Sequence, residues 1–411
     1  MNKVVKNTLY NLIGSFVYLF SQWIMSILVV RLSGSYEEAG VFGTALSVSN
    51  VFFMISTFSI RNYQVADVND KFTNSEYITF RIITCVVSML FLPVYLVIMR
   101  YSVYISLSVM CYMIIKLAEA IIDVIHGIFQ KEWRLDIAFK SFVIRGILNL
   151  IVFSFAEWIL KNLVLSLLLT AIVSLICAVA IDIRYCRAIF EVHIDFKNYR
   201  LFNLLCCCMP MFIHGFLSTL IYNIPRITAQ KMCGEELFGF YSSVAAPTVV
   251  VQLVVCNIFS PCITIMSEQF AKKEKKLFKT IAGIQGIIII IGSAAVGGFA
   301  LLGNYFLEIM FGKEILEYES LLIPAVAAAA LIATTAFVSS IFTVCNHNVI
   351  MAVLEGVTFV IDLILSIFFI KTFGLQGINY ALIVSCIVFI AIGYFIVIPN
   401  ITKDYKRVYS E

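Results

Sequence analysis

The sequence predicts an all-α integral membrane protein with twelve transmembrane helices, arranged as two six-helix repeats. Three observations lead to this fold class. Hydrophobic residues make up 61% of the 411 residues and charged residues only 13%, whereas soluble domains carry about 25% charged residues. The apolar residues form runs of about 20, the length that crosses a bilayer. A polar motif that follows the first run also recurs about half a chain later.

The recurring motif follows the first and the seventh apolar runs. Residues 31–47 read RLSGSYEEAGVFGTALS, and residues 226–244 read RITAQKMCGEELFGFYSSV. The residues that correspond at one constant offset are Glu37 with Glu236, Gly40 with Gly239, and Phe42 with Tyr241. Such an offset indicates an internal duplication. Duplicated halves in a membrane chain are typical of transporters, whose substrate path lies between the halves.

The predicted spans are 8–30, 40–60, 79–99, 102–123, 137–156, 163–183, 204–225, 238–262, 281–302, 322–342, 349–370 and 378–399. All are expected to be helical, because a backbone exposed to lipid must satisfy its own hydrogen bonds. Pro247 predicts a kink in the eighth span. We place an N-terminal bundle at 1–183, a cytoplasmic linker at 184–203 and a C-terminal bundle with a short tail at 204–411. The bundles are expected to surround a central cavity.

The positive charges predict the orientation of the chain in the cytoplasmic membrane. An even number of helices puts both termini on one side. If that side is the cytoplasm, most of the 29 lysines and arginines fall in cytoplasmic segments, as the positive-inside rule requires. The net charge of +4 therefore needs no nucleic-acid partner to explain it.

Ionisable residues share one face of the fourth predicted span. Lys116, Glu119 and Asp123 are spaced three and seven residues apart, and Arg145 in the fifth span is expected at the depth of Lys116. A charge inside the bilayer costs roughly 2.5–3.5 kcal/mol, so each is a functional candidate. One interpretation is a cationic patch that binds an anionic head group, with the two acids available for ion coupling. The other is a Glu119–Arg145 ion pair that joins the helices, with Lys116 still cationic.

Two acids lie inside the eleventh predicted span. Glu355 and Asp362 are seven residues apart, and no cation in that span can neutralise them. A buried carboxyl group without a partner readily takes up a proton. The pair is therefore a candidate for proton or sodium coupling. The alternative is that each acid pairs with a cation from another helix.

Four more residues are candidates for contact with an anionic substrate. His214 lies on a polar stripe of the seventh span, where it is either a substrate ligand or a satisfied core histidine. Arg31 and Arg226 end equivalent helices at the predicted outer surface, where they either meet a departing substrate or extend to the interface. Arg61 opens an amphipathic inner segment that either binds a lipid phosphate or simply follows the positive-inside rule.

The whole chain resembles the oligosaccharide flippase family of the multidrug/oligosaccharidyl-lipid/polysaccharide (MOP) exporter superfamily. The resemblance rests on the twelve-span pattern, the opening stretch NTLYNLIGSFVYLFSQWIMSILVVRLSG, the segment from Arg61 and the step after span seven. That step comprises Gly234, Glu235, Glu236, Gly239, Tyr241 and Ser242.

The resemblance implies two six-helix bundles that move a polyprenyl-diphosphate-linked oligosaccharide to the outer leaflet by alternating access. Basic residues of the cavity would bind the diphosphate, and Lys116, Arg145 and Arg61 match that role. The implied partners are membrane lipids, H⁺ or Na⁺, and a polysaccharide polymerase with its assembly proteins.

Two other classes of protein remain open. A cation-coupled multidrug exporter of the same fold would use acidic and aromatic cavity residues, and Glu355 with Asp362 fit that class. A membrane enzyme such as a polysaccharide polymerase is less favoured, because no connection is long enough for a catalytic domain. We predict a carrier rather than an enzyme, with no catalytic residue, no metal and no cofactor.

Overall fold

A computed structural model describes residues 3–67, 69–191, 193–196, 198–259, 262–345 and 347–409. These residues are almost entirely helical. The α-helices are α1 (Lys3–Ser33), α2 (Tyr36–Thr57), α3 (Ile60–Ala66), α4 (Asn74–Ile98), α5 (Val103–Lys131), α6 (Leu135–Leu160), α7 (Leu163–Cys177), α8 (Arg184–Ile189), α9 (Arg200–Cys233), α10 (Glu235–Ala245), α11 (Thr248–Phe259), α12 (Cys262–Ala271), α13 (Lys276–Phe311), α14 (Leu322–Val344), α15 (Asn348–Phe373) and α16 (Gln376–Tyr409). A π-helical turn, Ala178–Ile183, joins α7 to α8, and a 3₁₀ helix, Glu314–Leu321, precedes α14.

The span pattern predicted from the sequence is confirmed. Within the described residues, 11 helices are long and apolar enough to cross a membrane. A twelfth span results if α10 and α11 are counted together, since they are bent by 43° at a short break. Pro247 lies in that break, where its missing N–H removes a helical hydrogen bond. The chain is thus a multi-pass membrane protein, and its predicted orientation stays a prediction.

The described chain divides into two compact units, Met1–Thr219 and Leu220–Glu411. In unit 1, α1 packs along α6, and α2 packs on α4 and α5. In unit 2, α16 packs on α14 and α15. Each unit has its own apolar core: Ile60, Tyr77, Phe80 and Phe129 are central to the first, and Met266, Ile288, Phe337 and Phe342 to the second. The predicted bundle boundaries remain a prediction, but the predicted linker at 184–203 contains α8 and the start of α9.

The duplicated motif has the same local structure in both units. Gly34 follows α1 with φ +70°, and Gly234 follows α9 with φ +88°. The amide of each glycine donates to a carbonyl four residues earlier, at 2.9 Å and 3.0 Å, which caps the preceding helix in the way glycine favours. Two glutamates then lie in the first turn of α2 and of α10, where they complement the positive helix end.

A polar loop between α3 and α4 is held by Asp67. Its carboxylate accepts hydrogen bonds from the Lys71 amide at 2.9 Å, the Phe72 amide at 3.1 Å and the Tyr77 hydroxyl at 2.8 Å. Burial acts to raise the pKa of Asp67, but these hydrogen bonds outweigh it and hold the pKa below its ordinary value. The loop is therefore stabilised by the ionised form of Asp67.

Candidate functional site: a buried charge cluster in unit 1

Glu119 is the centre of a buried polar cluster formed by α1 and α5. Its carboxylate lies 3.0 Å from the Lys116 ammonium and accepts a hydrogen bond from Gln22 at 2.8 Å. The Tyr18 hydroxyl also donates to it. The Lys116 and Glu119 side chains are only 8% and 12% exposed. Within the described chain, the ion pair that Glu119 makes is therefore with Lys116 of its own helix, instead of the alternative pair with Arg145.

Arg145 of α6 contributes a second buried cation to the cluster. Its guanidinium lies 4.2 Å from the centroid of the Tyr18 ring, within the range of a cation–π interaction. Arg145 is 2% exposed, and its Nε and Nη1 atoms have no hydrogen-bond partner among the described residues. A buried donor without an acceptor costs about 1–3 kcal/mol, and more when it is charged. The guanidinium is thus fixed in place but incompletely satisfied.

Asp123 joins two arginines at one end of the cluster. Its carboxylate lies 3.3 Å from Arg61 and 2.8 Å from Arg81. Arg61 reaches Asp123 because Phe58 and Ser59, which follow the end of α2, have φ angles of 46° and 52° that reorient the chain before α3. Two cations share one acid, so one positive charge is in excess. Arg61 and Asp123 therefore contact each other, and their predicted roles in substrate binding and coupling stay predictions.

A buried His–Asp pair was missed by reasoning from the sequence. His126 Nε2 lies 2.9 Å from Asp182, and Ser141 donates to the same carboxylate at 2.7 Å. Asp182 lies in the π-helical turn, a feature frequent at functional sites. His126 Nδ1 has no partner among the described residues. One feature of the sequence could have pointed to His126. It lies on the same helix face as Glu119 and Asp123, at helical spacing from both.

The two acids of α15 lie inside unit 2. Asp362 is fully buried and accepts a hydrogen bond from Ser385 of α16 at 2.8 Å. Its second oxygen, Oδ2, has no hydrogen-bond partner among the described residues. Glu355 is 1% exposed and shares a face with Asp362. The predicted burial of both acids is therefore observed, and their coupling role remains to be tested.

The remaining predicted residues, His214, Arg31 and Arg226, lie on α1 and α9. His214 is half-buried in α9, and Arg31 is exposed at the end of α1. Arg226 donates a hydrogen bond to Tyr241, whose hydroxyl donates to Asn379 at 3.0 Å. Tyr241 is the repeat counterpart of Phe42, which packs on Tyr112. Arg226 is thus hydrogen-bonded to a residue of unit 2.

The fold and the buried charges define an all-helical, multi-pass membrane protein with a cationic cluster inside one helical unit. No protein-family model matches the chain. The chain is 25% identical over 418 aligned residues to the capsular polysaccharide biosynthesis protein CapF of Staphylococcus aureus, which covers 99% of this chain and 100% of that protein.

Solved structures show which fold this is. An outward-facing multidrug resistance transporter of the MATE family, itself in the MOP superfamily, superimposes with a TM-score of 0.64 at 16% identity and covers 98% of this chain and 96% of its own. The lipid II flippase MurJ, in an inward closed conformation, has a TM-score of 0.72 at 13% identity, with 94% and 87% covered. The chain therefore shares its fold with these two transporters. The resemblance drawn from the sequence is confirmed at the level of the fold.

Proposed function

We propose that the protein is a flippase that moves a polyprenyl-diphosphate-linked oligosaccharide repeat unit from the cytoplasmic to the outer leaflet. Its place would be in capsule, O-antigen or exopolysaccharide biosynthesis, and its mechanism alternating access. The observation that carries the proposal is the buried Arg145 guanidinium, two of whose nitrogens have no partner among the described residues. An arginine in this state is suited to a phosphate, which can accept two parallel hydrogen bonds from one guanidinium.

The surroundings of Arg145 favour binding of an anion. Tyr18 holds the guanidinium through its ring and is itself held by Glu119 through its hydroxyl. Lys116 neutralises Glu119 at 3.0 Å, so the acid does not compete for Arg145. The site therefore keeps one uncompensated cation that is oriented before the ligand arrives, and an oriented cation lowers the ordering cost of binding.

The other residues complete the proposed cycle. Arg145 and Lys116 hold the diphosphate while the carrier faces the cytoplasm, and Arg61 assists at the end of the cluster. The glycan then passes His214 and leaves by Arg31 and Arg226. Glu119 and Asp123, as partners of these cations, couple ion binding to substrate release. Both termini lie in the cytoplasm, and a polysaccharide polymerase with its assembly proteins takes over the flipped product.

The comparisons support this class of substrate. CapF is described as a capsular polysaccharide biosynthesis protein, and its similarity extends over the whole chain. MurJ is described as a lipid II flippase. One description names a polysaccharide and the other a lipid, the two parts of the proposed substrate.

A second candidate is a cation-coupled multidrug exporter. It is favoured by Asp362, a fully buried acid with one oxygen that lacks a partner among the described residues. In the flippase, Asp362 and Glu355 would take up H⁺ or Na⁺ to reset the carrier. In an exporter, the same acids would exchange the ion for a cationic drug.

A leaflet assay separates the two candidates. In cells that lack the protein but keep the sugar-assembly enzymes, polyprenyl-linked glycan should accumulate on the cytoplasmic side. The intact protein and Lys140→Ala should reverse this accumulation, because Lys140 is exposed on the same helix as Arg145. Arg145→Ala should not. If the glycan did not accumulate in cells that lack the protein, and if these cells became sensitive to cationic drugs, the protein would be the exporter and not the flippase.

A further inference from the structure

A cavity of about 640 Å³ in unit 1 has no part in the proposed transport cycle. It is formed by α4, α5, α8 and the connection that follows α8. Its walls are mainly aliphatic and include Ile78, Ile82, Ile121, Val124, Ile125 and Ile183. A volume of this size lies within the range of small-molecule sites. The lining predicts an apolar, flexible occupant such as a hydrocarbon chain.

Arg187 is the cation of the lining that is available to a ligand. On α8, it makes no ion pair within the described part of the chain. Glu191 also lines the cavity, but its side chain is 91% exposed and lies 3.6 Å from the His193 ring. Arg81, which lines the cavity as well, pairs with Asp123 at 2.8 Å, and its buried Nε has no hydrogen-bond partner among the described residues. An anionic group is therefore the polar complement of Arg187.

The wall formed by the connection is held in place by α4. The His193 amide donates to Ser75 at 3.1 Å, and Asn198 donates to Glu76 at 2.9 Å. Glu76 also completes a capping box with Thr73 at the start of α4. These contacts tie the connection to the first turn of a capped helix.

The same connection carries apolar side chains on its outer surface. Ile194, Phe196 and Tyr199 are 52%, 59% and 81% exposed. Aromatic residues next to basic ones are typical of the boundary between a bilayer and water. The entrance to the cavity is therefore expected at the level of the lipid head groups.

We propose that this cavity binds an anionic glycerophospholipid. One acyl chain occupies the aliphatic lining, and the phosphate lies against Arg187. A free phosphate would leave the aliphatic walls unused, and a neutral hydrocarbon would leave Arg187 unpaired. Basic pockets beside membrane helices bind lipid head groups by the same combination of charge and apolar surface. The inference does not depend on which substrate the protein transports.

Native mass spectrometry of the full chain in detergent tests the proposal. The probes are phosphatidylglycerol, phosphatidylcholine with the same chains, and a polyprenyl phosphate. Arg187→Gln should weaken phosphatidylglycerol binding about fivefold, the value of one basic contact at a membrane surface. Arg184→Gln is the matched control, because Arg184 is exposed on the same helix and outside the lining. Ile82→Trp fills the cavity and should abolish tight binding, while Val86→Trp, on the exposed face of α4, should not.

Each contrary result overturns a definite part of the proposal. Equal binding of the two phospholipids to the wild type, or equal effects of Arg187→Gln and Arg184→Gln, would exclude recognition of the head group. If Ile82→Trp bound phosphatidylglycerol as tightly as the wild type, the acyl chain would lie outside this cavity. If the polyprenyl phosphate bound more tightly than phosphatidylglycerol, and if Ile82→Trp abolished that binding, the ligand of the cavity would instead be a lipid of the substrate class. Because Arg187 is at the surface, Arg187→Gln decides the question even if Ile82→Trp does not fold.

Discussion

Replacing Glu119 with glutamine tests how much the buried Lys116–Glu119 pair stabilises the folded protein. The two side chains are 8% and 12% exposed and 3.0 Å apart. Glutamine can still accept from Tyr18 and Gln22, so the change removes mainly the charge opposite Lys116. Loss of one partner from a buried pair costs about 3–5 kcal/mol, whereas an exposed pair contributes only about 0.2–1 kcal/mol. We expect the larger loss in the free energy of unfolding.

A double-mutant cycle measured by unfolding in mixed micelles provides the assay. Lys116→Met should also destabilise, but less, because Glu119 keeps two hydrogen bonds. The double variant leaves no unpaired charge, so the coupling energy should be roughly 2–3 kcal/mol. Asp136→Asn is the control, since its pair with Arg134 is 36% and 50% exposed. If Glu119→Gln and Asp136→Asn had the same small cost, the Lys116–Glu119 pair would be solvated, and the energy inferred from its burial would be wrong.

Three further predictions concern coupling, pH and backbone geometry. Asp362→Asn should abolish the dependence of glycan movement on proton and sodium gradients in proteoliposomes, because it removes the buried charge; unchanged dependence would contradict a coupling role. Asp67→Asn should lower the unfolding temperature at pH 7, and this difference should shrink only as the pH falls below the ordinary pKa of aspartate. A lowered folded-state pKa gives stability that is complete above the ordinary value and is lost as the pH falls through the folded-state value; a pH-independent difference would exclude this. Gly234→Ala should cost about 1–3 kcal/mol of unfolding free energy, because φ 88° and ψ 174° lie in a region restricted to glycine. Gly286→Ala, with open space around the new methyl group, should be neutral or stabilising, and equal effects would refute the argument.

Some features were accessible from the sequence because their physical cause is local. Hydrophobic runs long enough for a bilayer predicted the helices, and the duplicated motif predicted a polar loop with an acidic pair in each half. The kink at Pro247 followed from its missing backbone donor. The burial of Asp362 followed from its place within an apolar run.

Other features depend on residues far apart in the chain. Helix α8 within the predicted linker forms one wall of a cavity whose other walls are α4 and α5. No periodicity of the linker itself predicts that arrangement. The His126–Asp182 pair likewise joins residues 56 positions apart, through a π-helical turn that has no sequence signature.

The sequence by itself determined that this is a helical membrane protein built from a repeat, and that Lys116, Arg145, Glu355 and Asp362 lie inside it. Composition and helical period are sufficient for that, because lipid forces each span to satisfy its backbone alone. Only the tertiary structure decided which charges neutralise one another. Glu119 pairs with Lys116, and Asp123 pairs with Arg61 and Arg81. Arg145 instead lies over the ring of Tyr18. Those pairings depend on the rotation and depth of neighbouring helices, since each residue turns a side chain by about 100° and advances it by about 1.5 Å.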